Sequence, residues 1–312
     1  MNKFIISTSS FDVDNNQPIQ HLLEKGMRIT ANSYGRKLTE DEVMALLGKD
    51  TVGMIAGIEP LTERVFASAS SLKVISRCGS GLDSVDLAAA ERHGITVLNT
   101  PEAPAQAVAE LTLALILTIS RKICETDRLV RAGQWPRTQG RLLAAQRVGI
   151  VGLGRVGGRV ARLCQAFGAD VVAHDSYVQR SPEGVELVPL KKLLAEADIV
   201  TLHLTYDRDT HHLVNKEALA QMKRGAVVIN TARGGLIDEA ALAEALKSGQ
   251  LSAAALDVFE QEPYRGPLVE CENAILTSHV GSLARESRHR MEVEAAENLL
   301  RGLTEAGVIE NG

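Results

Sequence analysis

The stretch Arg147–Asp175, RVGIVGLGRVGGRVARLCQAFGADVVAHD, decides how the rest of the chain is read. An apolar run from Val148 to Val151 stops at Gly152, and glycine recurs at Gly154 and Gly157. An amphipathic segment, Arg159 to Phe167, follows, then a second apolar run ending in Asp175. Strand, tight turn, helix, strand and acid, in that order, are the parts of a dinucleotide-binding βαβ unit. The first glycine makes the turn, the second lets the backbone approach a pyrophosphate, and the third lets helix and strand pack closely. The helix start, Arg155 and Val156, turns free N–H groups and a positive dipole end towards the phosphates. A bare GxGxxG is a weak signal, because glycine-rich turns are common. Asp175 strengthens it, falling 18 residues after Gly157 where a ribose 2′-hydroxyl is bound. Its carboxylate would repel a 2′-phosphate, and no Arg or Lys follows until Arg180, so the expected cofactor is NAD rather than NADP.

Composition bounds the alternatives. At 312 residues the chain can hold one very large domain or two ordinary ones. Hydrophobic residues make up 45% and charged residues 23%, a globular mixture with enough apolar material for a core. A net charge of −5 and an aromatic content of 3% argue against nucleic acid, whose binders carry basic stripes and stacking platforms. Cys78, Cys124, Cys164 and Cys271 lie far apart without a CxxC pair. They read as buried small hydrophobes in a reducing compartment, and no metal is expected. The start, MNKFIISTSS, has three consecutive apolar residues, too few for a signal peptide. The longest apolar tract, Leu111 to Ile119, is about half of what a bilayer requires. A cytoplasmic protein without a membrane partner is expected.

The first hundred residues alternate strand and helix: strands at 3–7, 27–30, 52–56, 73–78 and 95–98, helices at 18–25, 39–47, 62–69 and 85–92. Thr39-Glu40-Asp41-Glu42 is a capping box, and Thr62 is a second helix cap. This is a small parallel sheet covered on both faces. Gly79-Ser80-Gly81 follows its fourth strand, where backbone N–H groups can hold an anion or simply make a turn. Asn99-Thr100-Pro101 opens a long helix through Ser120 with Leu113, Ile116, Leu117 and Ser120 on one stripe, able to join two domains, pack in a dimer, or both. After Asp175 the alternation resumes, with strands at 199–204, 227–230, 251–258 and 275–277. That makes six or seven strands for a doubly wound dinucleotide domain. The last helix, about Leu283 to Leu303, has no sheet of its own and is expected to fold back on the first domain. The expected architecture is therefore α/β, two doubly wound parallel-sheet domains. A flavodoxin-like substrate domain takes 1–98 and 285–312, and a Rossmann NAD-binding domain takes 99–284.

Chemistry is expected at the carboxyl ends of the second domain's strands, where α/β sheets present ligands. One such end places an arginine, NTARGG at Asn230 to Gly235; another places acids, DVFEQEP at Asp257 to Pro263; a third places a histidine, TSHVG at Thr277 to Gly281. Singly these read as a surface arginine, a helix-capping acid and a satisfied histidine. Together they supply an anion anchor, a carboxylate and a titratable imidazole beside a hydride carrier, which suits reduction of a carbonyl next to a carboxylate.

Matching stretches running nearly end to end then identify a family. RCGSGLDSVDL at Arg77 to Leu87, NTPEAPAQAVAELT at Asn99 to Thr112 and VGLGRVGGRVA at Val151 to Ala161 come first. NTARGGLIDEAAL at Asn230 to Leu242, ALDVFEQEP at Ala255 to Pro263 and SHVGS at Ser278 to Ser282 follow in family order. The chain resembles the D-isomer-specific 2-hydroxyacid dehydrogenases, in their phosphoglycerate dehydrogenase-like branch. The resemblance implies Arg233 as substrate arginine, Glu262 as the acid paired with the histidine, and His279 as general acid/base. It implies that Ser80 and Gly81 hold the substrate carboxylate by their backbone. It adds His203, Thr205, Thr210, Thr231, Ala232, Asp257 (near the nicotinamide amide) and Gly281 to the glycine turn and Asp175 as NAD contacts. Arg233 can hold a carboxylate bidentately and polarise the adjacent keto oxygen. Glu262 would orient the imidazole and favour its protonated form.

Departures from the family carry information too. Many relatives have proline at the position of Thr205 and threonine at that of Asp207, which leaves the cofactor contacts of this loop open. Phosphoglycerate dehydrogenases place a phosphate-binding arginine after the third strand, whereas Ile55-Ala56-Gly57-Ile58-Glu59-Pro60 has no basic residue. That weakens 3-phosphoglycerate as the substrate unless an arginine elsewhere substitutes. The chain ends soon after its last helix, so neither a small regulatory domain nor the extended tails of NADH-sensing corepressors are expected. Glu262 stands where formate-type dehydrogenases have glutamine. A homodimer through the cofactor domain is expected, while the particular 2-hydroxyacid, the stereochemistry at C2 and the physiological direction stay open.

Overall fold

The computed structural model describes residues 2–310; residues 311 and 312 of the expected C-terminal segment lie outside them. In chain order the first elements are β1 (Lys3–Ile6), α1 (Gln17–Glu24), β2 (Arg28–Ala31), α2 (Glu40–Leu46), β3 (Thr51–Ala56), α3 (Glu63–Ser68), β4 (Val74–Arg77), α4 (Leu87–Arg92) and β5 (Thr96–Asn99). They continue with α5 (Ala105–Ser120), α6 (Ile123–Arg131), β6 (Arg147–Val151), α7 (Arg155–Ala166), β7 (Asp170–His174), β8 (Glu186–Leu187), α8 (Leu190–Glu196) and β9 (Ile199–Leu202). The last are α9 (Lys216–Gln221), β10 (Ala226–Asn230), α10 (Glu239–Lys247), β11 (Leu251–Leu256), β12 (Ala274–Leu276) and α11 (Arg285–Glu305). Contacts divide the chain into two units, Met1–Pro104 with Ala284–Gly312, and Ala105–Leu283.

The first unit is a five-stranded parallel sheet in the order β2-β1-β3-β4-β5, the flavodoxin-like winding. Strand side chains alternate between two cores, as a sheet covered on both faces requires. Ile5, Met54 and Ile75 enter one, while Phe4, Ile6, Val52 and Val74 enter the other. The second core is completed by Met291, Ala295, Ala296, Leu299 and Leu303 of α11, so the last helix packs on the N-terminal sheet. Burying each large side chain contributes about 1.5–3 kcal/mol, which explains why α11 belongs here although some 180 residues separate it from β5. Residues 99–104 also stay with this unit. Thr100 Oγ1 accepts the Gly79 N–H at 2.8 Å, and the Ala103 carbonyl accepts from Ser287 Oγ at 3.0 Å.

The second unit is a seven-stranded parallel sheet, β12-β11-β10-β9-β6-β7-β8, whose inner strands follow the Rossmann order with the switch point between β6 and β9. Here too successive residues of one strand enter opposite cores, Val151 on one side and Val148 and Ile150 on the other.

Several local expectations are corrected. The long helix begins at Ala105, not at Asn99-Thr100-Pro101, because Pro104 lacks an N–H and fits only at a helix start. Of the expected stripe Ile116 and Ser120 are buried, while Leu113 and Leu117 are only half-buried; Ala105, Ala109, Thr112 and Leu115 share the buried set, and the small residues let α5 lie close on α7. Thr39 forms its capping box, but the Thr62 hydroxyl donates to Glu40 and does not cap α3. Helix α6 and the short β8 were not anticipated; α6 buries none of its residues, and its Cys124 is exposed, unlike the other three thiols. Burial pushes Cys78 up to about 11 and Cys164 up to about 12, so both are inert thiols.

Candidate active site

The turn after β6 is built as the sequence requires. Gly152 has φ +93°, and a Cβ there would lie 2.7 Å from the His203 carbonyl. A Cβ on Gly157 would lie 2.0 Å from the Gly152 oxygen, so helix and strand meet backbone to backbone. Gly154, which caps α7, has nothing within 4 Å of its Cβ position. It is an open approach to the first backbone N–H groups of α7, the space and donors that a pyrophosphate needs. Asp175 closes the far side. Its Oδ2 accepts the Leu153 N–H at 2.7 Å, and its Oδ1 accepts those of Tyr177 and Val178 at 2.8 and 3.0 Å. Partial burial raises its pKa, the three N–H donors more than compensate, and the carboxyl lies below its ordinary value. A fixed anion thus adjoins the glycine turn, which fits NAD.

After β9 the partly buried His203 imidazole is desolvated, which pushes its pKa down to about 3. Its Nε2 lies 3.0 Å from Thr201 Oγ1, and Nδ1 has no partner among the described residues. The following loop is a turn tied by Asp207, whose Oδ1 accepts the N–H groups of Asp209 and Thr210, both at 2.9 Å. Thr210 Oγ1 in turn lies 3.1 Å from the carbonyl of Thr205, which is exposed. The departure at Asp207 therefore makes its own turn.

After β10, Asn230 shapes the arginine loop: Nδ2 donates to the Arg233 carbonyl at 2.8 Å and Oδ1 accepts the Ala232 N–H at 3.1 Å. Thr231 Oγ1 is 2.8 Å from Thr112 Oγ1 inside the unit. Arg233 Nη1 donates to the Ala232 carbonyl at 2.7 Å. A Cβ on Gly234 would lie 1.9 Å from the Phe259 carbonyl carbon, so the arginine loop and the acid loop touch through their backbones.

The acid loop and the histidine loop are joined twice. His279 Nδ1 lies 2.9 Å from Glu262 Oε2 and 3.1 Å from Oε1, both side chains about one-third exposed. Asp257, 1% exposed, accepts Thr277 Oγ1 at 2.6 Å, the Val280 N–H at 2.8 Å and the Gly281 N–H at 2.8 Å. Those donors flank His279, whose φ of +56° is unusual for a residue with a Cβ. His279 Nε2 has no partner among the described residues. In the first unit Ser80 is exposed and its carbonyl accepts from Asn99 Nδ2 at 2.7 Å. The Ser80 and Gly81 N–H groups make no hydrogen bond among the described residues. Sequence reading gave Thr112, Asn230 and Glu239 no role; a polar residue on the inner face of an apolar helix was the available signal for Thr112. Among the described residues no cluster of His, Cys, Asp and Glu could hold a metal ion, and no helix is long and apolar enough to cross a membrane.

A Rossmann switch point with a glycine turn and acid on one side, and an imidazole on a carboxylate at neighbouring strand ends, defines a dinucleotide-dependent α/β oxidoreductase. Residues 113–281 match the family model for the D-isomer specific 2-hydroxyacid dehydrogenase, NAD binding domain. The chain is 36% identical over 272 residues to hydroxypyruvate reductase of Thermotoga maritima, covering 85% of this chain and 89% of that one. It is 43% identical over 241 residues to D-3-phosphoglycerate dehydrogenase of Mycobacterium leprae, covering 75% of this chain but 46% of that longer enzyme. The crystal structure of the TT0316 protein from Thermus thermophilus superposes with a TM-score of 0.88 at 37% identity, covering 97% of each chain. The chain belongs to the D-isomer-specific 2-hydroxyacid dehydrogenase family, whose cofactor is NAD.

Proposed function

We propose that the chain transfers a hydride between NAD(H) and a small 2-hydroxyacid/2-oxoacid pair, with His279 as general acid/base, Glu262 as its partner and Arg233 as substrate anchor. The contact between His279 Nδ1 and Glu262, 2.9 Å at its shortest, carries this reading, because it orients the imidazole and leaves Nε2 for a substrate oxygen. NAD would be held by Gly152, Gly154, Arg155, Val156 and Gly157 at its phosphates and by Asp175 at its ribose. Thr231, Ala232 and Gly281 would border the nicotinamide end, with His203, Thr205 and Thr210 on the adjoining loop. When bound, the reduced cofactor supplies the hydride. Arg233 holds the substrate carboxylate and polarises the keto oxygen. Within the first unit, the Ser80 and Gly81 N–H groups are donors suited to a carboxylate. His279 donates a proton to the keto oxygen during reduction and removes it during oxidation, a transfer worth roughly 10²–10⁴-fold.

A small, unphosphorylated 2-oxoacid is favoured over 3-phosphoglycerate. After β3 the chain has Glu59, 1% exposed and bonded to the Ser7 hydroxyl and the Gly57 N–H, where a phosphate would want a cation. Hydroxypyruvate reductase and glyoxylate reductase are among the relatives. NADH oxidation across glyoxylate, pyruvate, hydroxypyruvate and phosphorylated 2-oxoacids tests the assignment together with His279→Ala. Turnover should vanish in that variant while NADH binding survives; loss of NADH binding, or turnover of none of these acids by the wild type, overturns it.

We also infer a homodimer through the second unit. Helix α6 buries nothing of its own, and Ile123, Val130, Trp135 and Leu142, within twenty residues of one another in the chain, are 53%, 43%, 83% and 68% exposed, large apolar residues that a second copy would cover. Sedimentation equilibrium should give a dimer that Trp135→Glu weakens; a monomeric wild type overturns this. Three buried free thiols suit a reducing cytoplasm.

A further inference from the structure

Next to the Glu262–His279 pair lies a second group of ionisable side chains that the proposed reaction leaves unused. Glu239, the first residue of α10, points its Oε1 at the backbone N–H of Glu260, 2.8 Å away. One residue earlier, the Phe259 N–H donates to Glu262 Oε1 at 3.1 Å. Two consecutive peptide N–H groups of the acid loop are thus gripped by two carboxylates, one of which is the partner of His279. Gly234 packs closely against the Phe259–Glu260 peptide, so the loop is held from the arginine loop as well.

We propose that Glu239 is a positioning residue for the proton-transfer pair: by holding the Glu260 N–H it fixes the turn that sets Glu262 against His279. This rests on the proposed roles of Glu262 and His279. Helix capping does not account for Glu239, because Asp238 already caps α10 through its bond from the Ala241 N–H at 2.9 Å. A glutamate in a first helical turn can satisfy the helix dipole from solvent, yet this one is drawn inward to a backbone donor of another loop. The groups facing it are Glu260, whose side chain pairs with His212 Nε2, then His212 itself, Glu262 and Tyr264. Burial holds the Glu239 carboxyl above its ordinary value, the Glu260 N–H pulls it down, and the Glu260 and Glu262 carboxylates push it up. The charge of Glu239 therefore also bears on the pair that it positions.

The test uses the full-length enzyme with Glu239→Met, Glu239→Gln and Glu260→Ala, measuring kcat and KM across pH, the His279 imidazole titration by NMR, and thermal unfolding. Methionine fills the space of the glutamate without an acceptor. It should lower kcat roughly tenfold, the weight of one hydrogen bond to a charged group, leave the KM for NADH unchanged and move the His279 titration. Glutamine keeps an oxygen for the Glu260 N–H and should restore kcat to within about threefold. Glu260→Ala keeps the backbone donor and should stay as near the wild type. The proposal is overturned if Glu239→Met lowers only the unfolding temperature, with kcat and the His279 titration unchanged. It is equally overturned if Glu260→Ala reproduces the loss, since the effect would then run through the His212–Glu260 side chains. If no 2-oxoacid is turned over by any form, the functional reading fails, and the NMR titration still decides whether Glu239 acts on His279.

Discussion

Substituting Asp257 by asparagine removes one charge and one acceptor from the clamp around His279, and the consequence can be worked from the geometry. A residue with a Cβ held at φ +56°, as His279 is, costs about 1–2 kcal/mol relative to an ordinary conformation. Against this stand the bonds from Val280 N–H and Gly281 N–H, both 2.8 Å, and from Thr277 Oγ1, 2.6 Å, to a carboxylate 1% exposed. Hydrogen bonds to a charged group contribute about 1.5–3 kcal/mol each, so the two backbone bonds alone outweigh the strain. In Asp257→Asn the amide oxygen can keep Thr277 and Val280, but the NH₂ group then meets the Gly281 N–H, donor against donor. One backbone bond is lost, and the other falls to about 1 kcal/mol as an uncharged bond, close to the strain that it must hold. The histidine loop then spends much of its time relaxed, and kcat should fall roughly tenfold or more. Steady-state NADH oxidation at saturating 2-oxoacid measures this, with NADH affinity followed in parallel by fluorescence titration. A kcat within threefold of the wild type refutes the clamp, and so does a loss confined to NADH affinity, which a cofactor contact alone would produce.

Glu262→Gln replaces the carboxylate that orients His279 through Nδ1 with an amide that can turn its NH₂ group towards the ring, so kcat should fall while NADH affinity holds; an unchanged kcat counts against the pairing. His203 makes the protein acid-sensitive. With a folded pKa of about 3 against about 6.5 when unfolded, the unfolded state takes up the proton first, so stability is lost as pH falls below about 6.5. The loss runs at up to about 1.4 kcal/mol per pH unit. His203→Gln should therefore narrow the gap in unfolding free energy from the wild type between pH 7 and pH 4, and a gap independent of pH would contradict the burial argument. Asp175→Ala removes the anion beside the ribose and strands the Leu153, Tyr177 and Val178 N–H groups. It should weaken NADH binding and raise the relative affinity for NADPH; an unaltered NADH/NADPH ratio in a titration would remove Asp175 from the ribose site.

Local chemistry determined much of this protein. The run Val148–Val151, the spacing of Gly152, Gly154 and Gly157 and the position of Asp175 carry the turn in themselves, because φ +93° and a backbone approach at Gly157 admit no side chain. The alternation of apolar runs and capped helices likewise specified two parallel sheets, since a strand apolar throughout must be covered on both faces. Helix boundaries were legible where a cap spoke locally, as at Thr39. The start of α5 was misjudged by a few residues, and so was part of its inner face, where the approach of α7 buries Ala105, Ala109 and Thr112 and leaves Leu113 and Leu117 half-buried. Arg233, Glu262 and His279 could be read as candidates from their strand ends, but their relation could not. Asp257 reaches across to Thr277, Val280 and Gly281, and Glu239 reaches across to Glu260. Each of these bonds joins residues some twenty positions apart in the chain, with a geometry set by neighbouring strands and loops, and hydrogen bonds of that kind leave no period or spacing in the sequence. What only the tertiary structure decided is therefore the support of the site: which carboxylates, Asp257 and Glu239, hold the loops that present the acid and the imidazole.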